Sequence, residues 1–144
     1  MAQVRILIVD DFQAWRHFVS TMLQERSDFQ IIGEAMDGLE AVRKTEELRP
    51  DLILLDIGLP GLNGIEAARR ICEIAPGTAI LFVSENRCHS LVLEALGTSA
   101  CARGYVVKSD AADELLPALE AVAQGKRFLS CQCAGLKFGD FADA

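Results

Sequence analysis

The stretch LILLD at residues 52–56 places four large apolar residues directly before a carboxylate. A short apolar run of this kind is typical of a strand that is buried on both faces, as in a parallel sheet covered by helices. An aspartate at the end of such a strand is costly unless that end opens into a site. In open α/β sheets, ligands bind in the crevice outside the carboxyl ends of the strands. Asp56 therefore predicts a site at this edge, where other strands should also end in polar residues.

Strand-like and helix-like segments alternate along the rest of the chain. Further strands are predicted at residues 4–9, 29–35, 78–83 and 104–107, and helices at about 12–23, 37–49, 63–75, 91–96 and 110–124. Asp37 and Asn63 predict two of the helix starts, because each is followed three residues later by a glutamate. The resulting (βα)5 pattern predicts an α/β fold with a doubly wound, parallel, five-stranded sheet and right-handed crossovers.

The length and composition predict one domain. The 144 residues are 51% hydrophobic, which is enough for a full core and argues against disorder. We place this domain at residues 1–125, up to the glycine that should end the last helix. Residues 126–144 have no clear period and are interpreted as a C-terminal tail or linker.

The charge and cysteine content exclude several classes of function. A net charge of −7 without a basic stripe argues against direct binding of nucleic acid by this domain. No apolar run approaches the roughly 18 to 20 residues that span a bilayer, so we predict no membrane association. The start lacks the layout of a signal peptide. The five scattered cysteines then indicate a reducing, cytoplasmic location rather than a disulfide framework.

Four of the five predicted strands end in a reactive side chain: Asp10 with Asp11, Asp56, Ser84 and Lys108. Three carboxylates in one crevice repel each other strongly and are stable together only around a cation. Oxygen ligands with open positions suit Mg²⁺, which favours one or two carboxylates together with a phosphate. Lys108 can balance one phosphoryl oxygen as a point charge, and the Ser84 hydroxyl can donate to another. Asp56 is then the natural nucleophile for phosphorus.

At this point the sequence resembles the receiver domain of two-component response regulators, over residues 4 to about 125. The motifs that carry the resemblance are IVDD at residues 8–11, LLDIGLP at 54–60 with Gly64, Ser84, and GYVVK at 104–108. The last helix with GKRFLS at 125–130 resembles the NarL/FixJ-type subgroup. Those proteins continue into a helix-turn-helix output domain, which we do not recognise in residues 126–144.

The resemblance implies the fold, the site and the function. It implies the flavodoxin-like receiver topology with strand order 2-1-3-4-5, and Asp56 as the phosphoacceptor. Asp11 would bind Mg²⁺ directly, Asp10 through a water, and Gly58 through its carbonyl. Ser84 and Tyr105 would form the switch pair, with the hydroxyl moving toward the phosphoryl group and the ring turning inward behind it.

The implied protein is a phosphorylation-dependent switch rather than an enzyme in the usual sense. A histidine kinase or phosphotransfer protein would phosphorylate Asp56, and the face formed by the fourth helix, fifth strand and fifth helix would then change. The output would be altered self-association, for example as a homodimer, or control of another domain or protein.

Three features depart from the family pattern. The spacing from Ser84 to Lys108 is two residues longer than usual, and we place the excess in residues 97–103. Glu85 stands where the family often has a small residue, close enough to crowd or repel the phosphoryl group. Gly58 should leave the pocket mouth open beside Asp56. We therefore expect water or phosphodonors to have easy access there.

Three other functions fit the sequence less well. A degenerate receiver that only binds proteins would not need the complete set of acids, serine and lysine. An aspartate-nucleophile phosphatase of the haloacid-dehalogenase kind would carry its general acid two residues after Asp56, where the chain has Gly58. A flavodoxin-like cofactor binder would need a phosphate-cradling loop after the first strand, where the chain has Asp10 and Asp11 instead.

Overall fold

A computed structural model describes residues 3–86 and 88–130 of the chain. Its strands are β1 (Val4–Val9), β2 (Phe29–Ala35), β3 (Leu52–Leu55), β4 (Ala79–Ser84), β5 (Ala102–Val107) and β6 (Phe128–Leu129). They form one parallel sheet in the order β2-β1-β3-β4-β5-β6. The predicted order 2-1-3-4-5 is confirmed.

The sheet also has a short sixth strand beyond the five predicted, because β6 joins the free edge of β5. Gly104 pairs with Phe128, and Tyr105 pairs with Leu129. The first residues of the segment interpreted as a tail or linker thus lie against the sheet. Residues 131–144 are outside the described part of the chain.

The helices lie where the apolar periodicity places them. They are α1 (Gln13–Leu23), α2 (Gly38–Leu48), α3 (Gly64–Ile74), α4 (His89–Gly97) and α5 (Ala111–Ala123), with a single 3-10 turn at Lys108–Asp110 before α5. Both predicted caps are confirmed: the Asp37 carboxylate accepts from the Glu40 amide, and the Asn63 side chain accepts from the Glu66 amide. Helix α5 continues through Pro117.

The core is divided into two layers by the sheet. Ile53 and Leu55 of β3 face the layer beneath α2, α3 and α4, while Leu52 and Leu54 face the layer beneath α1 and α5. All four side chains are essentially inaccessible to solvent. A strand covered on both faces has no polar face to present, which is why its sequence is continuously apolar.

A disulfide joins Cys72 on α3 to Cys101 in the connection before β5. Their Cα atoms lie 5.9 Å apart although the residues are 29 positions apart in sequence. This differs from the expectation of a reducing environment without a disulfide framework, because pairing depends on which segments the fold brings together rather than on spacing in sequence. Cys88 is exposed and unbonded, and the cysteines at 131 and 133 lie outside the described residues.

None of the helices in the described part of the chain has the length and apolar character needed to cross a bilayer.

Candidate functional site

The carboxyl ends of β1, β3, β4 and β5 meet around one cavity of about 710 Å³. Parallel pairing places these ends at the same edge, because Val9 pairs with Leu55 and Ser84 pairs with Val107. The cavity is lined by five of the residues that the sequence singled out: Asp11, Asp56, Gly58, Ser84 and Lys108. Glu85, the departure noted above, also lines it.

The three predicted carboxylates converge at this edge. Oxygens of Asp10, Asp11 and Asp56 all lie within 4.8 Å of one another. Asp10 and Asp56 are buried, whereas Asp11 is exposed. The Asp10 carboxylate also accepts a hydrogen bond of 2.9 Å from the Phe12 amide, which fixes its orientation. An all-oxygen set with one solvent-facing member fits Mg²⁺, which keeps part of its water shell.

Lys108 lies at the same cluster, in the turn that follows β5. Its Nζ is 2.6 Å from Asp10 Oδ2 and 3.8 Å from Asp56 Oδ2. Its side chain is only 9% exposed, so the ammonium is largely removed from water. Such a desolvated cation is available to pair with negative charge that develops at Asp56.

The environment of Asp56 disfavours its ionised form. Burial raises the pKa of the Asp56 carboxyl to about 6. The charge of Lys108 and the hydrogen bond from the Ile57 amide lower this pKa, whereas the negative charges of Asp10 and Asp11 raise it. A bound cation opposes the effects of burial and like charge, so ionisation of Asp56 and cation binding should favour each other.

The switch pair predicted from the resemblance is connected through one loop residue. The Tyr105 ring is fully buried, and its hydroxyl donates to the Asn86 carbonyl at 2.6 Å. The Asn86 amide in turn donates to Ser84 Oγ at 3.2 Å. A displacement of the Ser84 hydroxyl would therefore act on the same loop residue that holds the Tyr105 ring. Asn86 was not predicted from the sequence, although an asparagine just after a strand signals a turn.

Two glycines near Asp56 differ in their surroundings. A β-carbon at Gly58 would meet nothing within 4 Å, which agrees with the predicted open mouth of the pocket. A β-carbon at Gly64, the first residue of α3, would lie 2.0 Å from the Asp56 carbonyl oxygen. The Gly64 amide donates to the Ile57 carbonyl at 2.8 Å. Helix α3 thus begins against the loop that carries Asp56, and only glycine allows this approach.

Arg16 supports the acidic cluster from α1 and was also missed. It is buried, its Nη1 donates to the Asp10 carbonyl at 2.7 Å, and its Nε pairs with Glu34 on β2 at 2.7 Å. It therefore fixes the backbone at the end of β1. The sequence signal for Arg16 is that a charged residue stands at a position that the helical period places on the inner face of α1.

Comparison with known proteins agrees with this fold. The response regulator receiver domain family matches residues 6–120. The chain is 35% identical over 127 residues to the transcriptional regulatory protein DegU of Brevibacillus brevis, covering 88% of this chain and 53% of DegU. It is 35% identical over 121 residues to the chemotaxis protein CheY of Listeria monocytogenes, covering 84% of this chain and 99% of CheY.

A solved structure gives the same result. The crystal structure of a LuxR-family two-component response regulator from Aurantimonas sp. SI85-9A1 superposes with a TM-score of 0.87 at 34% identity, covering 93% of this chain and 94% of that one.

This strand order, with acids and a lysine at the carboxyl edge of the sheet, is the arrangement that the resemblance to receiver domains predicts. The chain belongs to the response regulator receiver domain family. Members of this family are regulatory domains of two-component systems rather than enzymes in the usual sense. The chain spans about half to three fifths of the length of several curated relatives, DegU and the regulators LiaR and GacA among them.

Proposed function

We propose that the chain is a phosphorylation-dependent switch in which Asp56 accepts a phosphoryl group. The observation that carries this proposal is the convergence of three carboxylates within 4.8 Å, with the Lys108 ammonium 3.8 Å from Asp56. The phosphodonor would be a phosphohistidine of a histidine kinase or phosphotransfer protein. We place the reaction in the cytoplasm, where such donors act.

The chemistry at Asp56 is a displacement at phosphorus. A carboxylate oxygen forms a bond to phosphorus, and the bond from phosphorus to the donor's imidazole nitrogen breaks, leaving its electron pair on that nitrogen. Lys108 offsets the charge on the phosphoryl oxygens. The Ser84 hydroxyl, at the rim of the same cavity, donates to one of them.

The acidic cluster would hold Mg²⁺, which offsets negative charge on the phosphoryl group. Asp11 and Asp56 are proposed as direct ligands together with the Gly58 carbonyl, and Asp10 as a ligand through water. Asp10 also keeps Lys108 in place, since their charged atoms are 2.6 Å apart.

The output would be a shift in the equilibrium of the face formed by α4, β5 and α5. A phosphoryl group adds a charge of about −1.5 to −2 and draws the Ser84 hydroxyl toward it. Through Asn86, this changes the anchor of the Tyr105 hydroxyl. The altered face would control self-association or the binding of an output domain or partner protein.

The test is intact mass spectrometry after incubation with acetyl phosphate, with and without Mg²⁺. We expect one phosphoryl adduct on the wild-type chain that requires Mg²⁺ and is absent in Asp56→Asn. Asp113→Asn, an exposed carboxylate on α5, is the matched control and should be modified like the wild type.

An adduct that persists in Asp56→Asn would move the acceptor to another residue. No adduct under any condition would favour the alternative function, a binding module that keeps the receiver fold without the chemistry. With an adduct in hand, the proposed access route at Gly58 is tested by Gly58→Met, which should slow loss of the phosphoryl group.

A further inference from the structure

The Lys108 ammonium has aromatic neighbours as well as acidic ones. Its Nζ lies 5.0 Å from the centre of the Trp15 ring and 5.8 Å from that of Phe12. Both distances fall within the roughly 6 Å at which a cation is attracted to the face of an aromatic ring. Indole binds cations more strongly than the phenyl ring does, and Trp15 is the nearer of the two.

These contacts lie at the boundary between two cavities. Phe12 and Lys108 line both the acidic cavity and a neighbouring groove of about 580 Å³, whose walls include Trp15 and Phe18. With its side chain only 9% exposed, Lys108 has little contact with water and depends on these neighbours. A ring stabilises the charge without accepting a conventional hydrogen bond, so the three N–H donors remain available to carboxylate or phosphoryl oxygens.

Trp15 is better fixed than Phe12 and is therefore the stronger candidate to hold the lysine. It is half-buried on α1, packs against the core layer beneath that helix, and contacts the Phe18 ring with centroids 5.2 Å apart. Phe12 precedes the helix and is 59% exposed. The four-carbon stem of Lys108 is flexible, so holding its ammonium in one place costs rotamer entropy. A fixed ring beside the ammonium reduces the number of other rotamers that the lysine can adopt.

We propose that Trp15 is a positioning residue for phosphoryl transfer. Its ring holds the Lys108 ammonium beside Asp56, so that the lysine meets the incoming phosphoryl oxygens with little reorganisation. This inference rests on the proposed function of Asp56 and adds to it a residue outside the motifs by which the family was recognised. Trp15 acts through Lys108 and does not contact the phosphoryl group.

The kinetic test compares Trp15→Leu, Trp15→Phe and Met22→Ala. Met22 is the matched control, since it is a half-buried apolar residue on the same helix and packs against the same core layer as Trp15. The rate of adduct formation is measured against acetyl phosphate concentration at saturating Mg²⁺. Mg²⁺ affinity is measured separately by calorimetry, and stability by urea unfolding.

We expect Trp15→Leu to lower the maximal rate by about 3- to 30-fold, the range that one cation–ring contact corresponds to. Its Mg²⁺ dissociation constant should stay within about twofold of the wild type, because the indole is not a ligand. Trp15→Phe should recover most of the rate, and Met22→Ala should react like the wild type. A purely structural role predicts instead that Trp15→Leu and Met22→Ala both slow the reaction in proportion to lost stability, with no rescue by phenylalanine.

A second test needs no phosphorylation. Trp15 is the only tryptophan in the chain, so the tryptophan emission comes from this ring alone. In Mg²⁺-free buffer, Lys108→Met should shift the emission maximum, while Lys126→Met at an exposed site should not. This test also holds if Trp15→Leu fails to fold.

The two proposals fail in different ways. No adduct on the wild-type chain overturns the function of Asp56, and with it the role of Trp15 in that reaction. A wild-type adduct with equal slowing in Trp15→Leu and Met22→Ala overturns only the role of Trp15. The same conclusion follows if phenylalanine gives no rescue, or if emission is unchanged in Lys108→Met.

Discussion

At the scale of single residues, the site is assembled at a cost to stability. Asp56 is buried beside two other carboxylates, and its pKa is raised to about 6 from a usual value of 3.8. A carboxyl whose pKa is raised on folding binds its proton more tightly in the folded state. Ionisation of Asp56 therefore destabilises the fold as the pH rises from about 4 to 6, and the loss is complete above that window.

Asp56→Asn should stabilise the metal-free protein at neutral pH. The amide keeps the shape of the side chain but carries no charge, so the gain should be about 2 kcal/mol above pH 6 and should shrink toward pH 4. Urea unfolding in EDTA at pH 7.5 and pH 4.5 measures this difference, with Asp113→Asn as the exposed control. An equal gain in stability at both pH values would show that ionisation of Asp56 is not the cause of the gain.

Gly64→Ala should be far more damaging than Gly58→Ala. The new methyl group at Gly64 would meet the Asp56 carbonyl oxygen at 2.0 Å and force α3 away from the loop, whereas the space at Gly58 is open. We expect a loss of about 2–4 kcal/mol in the free energy of unfolding for Gly64→Ala and a change of less than about 1 kcal/mol for Gly58→Ala. Chemical denaturation measures the free energy of unfolding of both variants. Similar losses for the two would contradict the close approach of Gly64 to the Asp56 carbonyl oxygen.

At the scale of elements, α3 is linked to the sheet at both of its ends. Its first residue packs on the loop after β3, and Cys72 near its last turn is bonded to Cys101. Cys101 lies in residues 97–103, the stretch where the sequence carries its two-residue excess. The longer connection between α4 and β5 is thus held to α3 by a covalent bond.

Reduction of the Cys72–Cys101 bond should lower stability. A crosslink between residues 29 positions apart restricts the unfolded chain and typically contributes about 2–4 kcal/mol. Urea unfolding with and without dithiothreitol should show this loss for the wild type and for Cys88→Ser, whose thiol is exposed and unbonded. Cys72→Ser should not respond to the reductant, and an unresponsive wild type would mean that the two cysteines are thiols in solution.

At the scale of the whole molecule, β6 joins the edge of β5, the strand that carries Tyr105. The Ser130 amide donates to the Tyr105 carbonyl at 2.9 Å, and the Ser130 hydroxyl contacts Glu114 and, at 3.2 Å, Asp110. Gly104 permits this approach, since a β-carbon there would lie 2.8 Å from the Phe128 carbonyl oxygen. Whatever follows residue 130 is therefore connected to the sheet beside Tyr105.

Two truncations should separate the contribution of β6 from that of the residues beyond it. A chain ending at residue 130 keeps the strand, and a chain ending at residue 125 loses it. We expect the shorter chain to be less stable by about 1–2 kcal/mol, because it loses the backbone pairing of β6 with β5 and exposes the edge of β5. Equal urea midpoints for the two chains would show that β6 adds nothing to the fold.

The sequence by itself determined the order of the elements and the chemistry of the site. Apolar periodicity and helix caps are local properties, and strict alternation of strands and helices permits little but a parallel sheet. Once the strands are parallel, side chains at their carboxyl ends share one edge. The sequence therefore predicts that Asp10, Asp11, Asp56, Ser84 and Lys108 lie together.

Only the tertiary structure decided which distant groups meet around that site. Three contacts join residues on different elements. They are the contact of Trp15 with Lys108, the hydrogen bonds of Asn86 with Ser84 and Tyr105, and the bond from Cys72 to Cys101. Strand β6 is two residues long, too short for any periodicity to reveal. Such contacts depend on register and packing across the sheet, which local sequence does not encode.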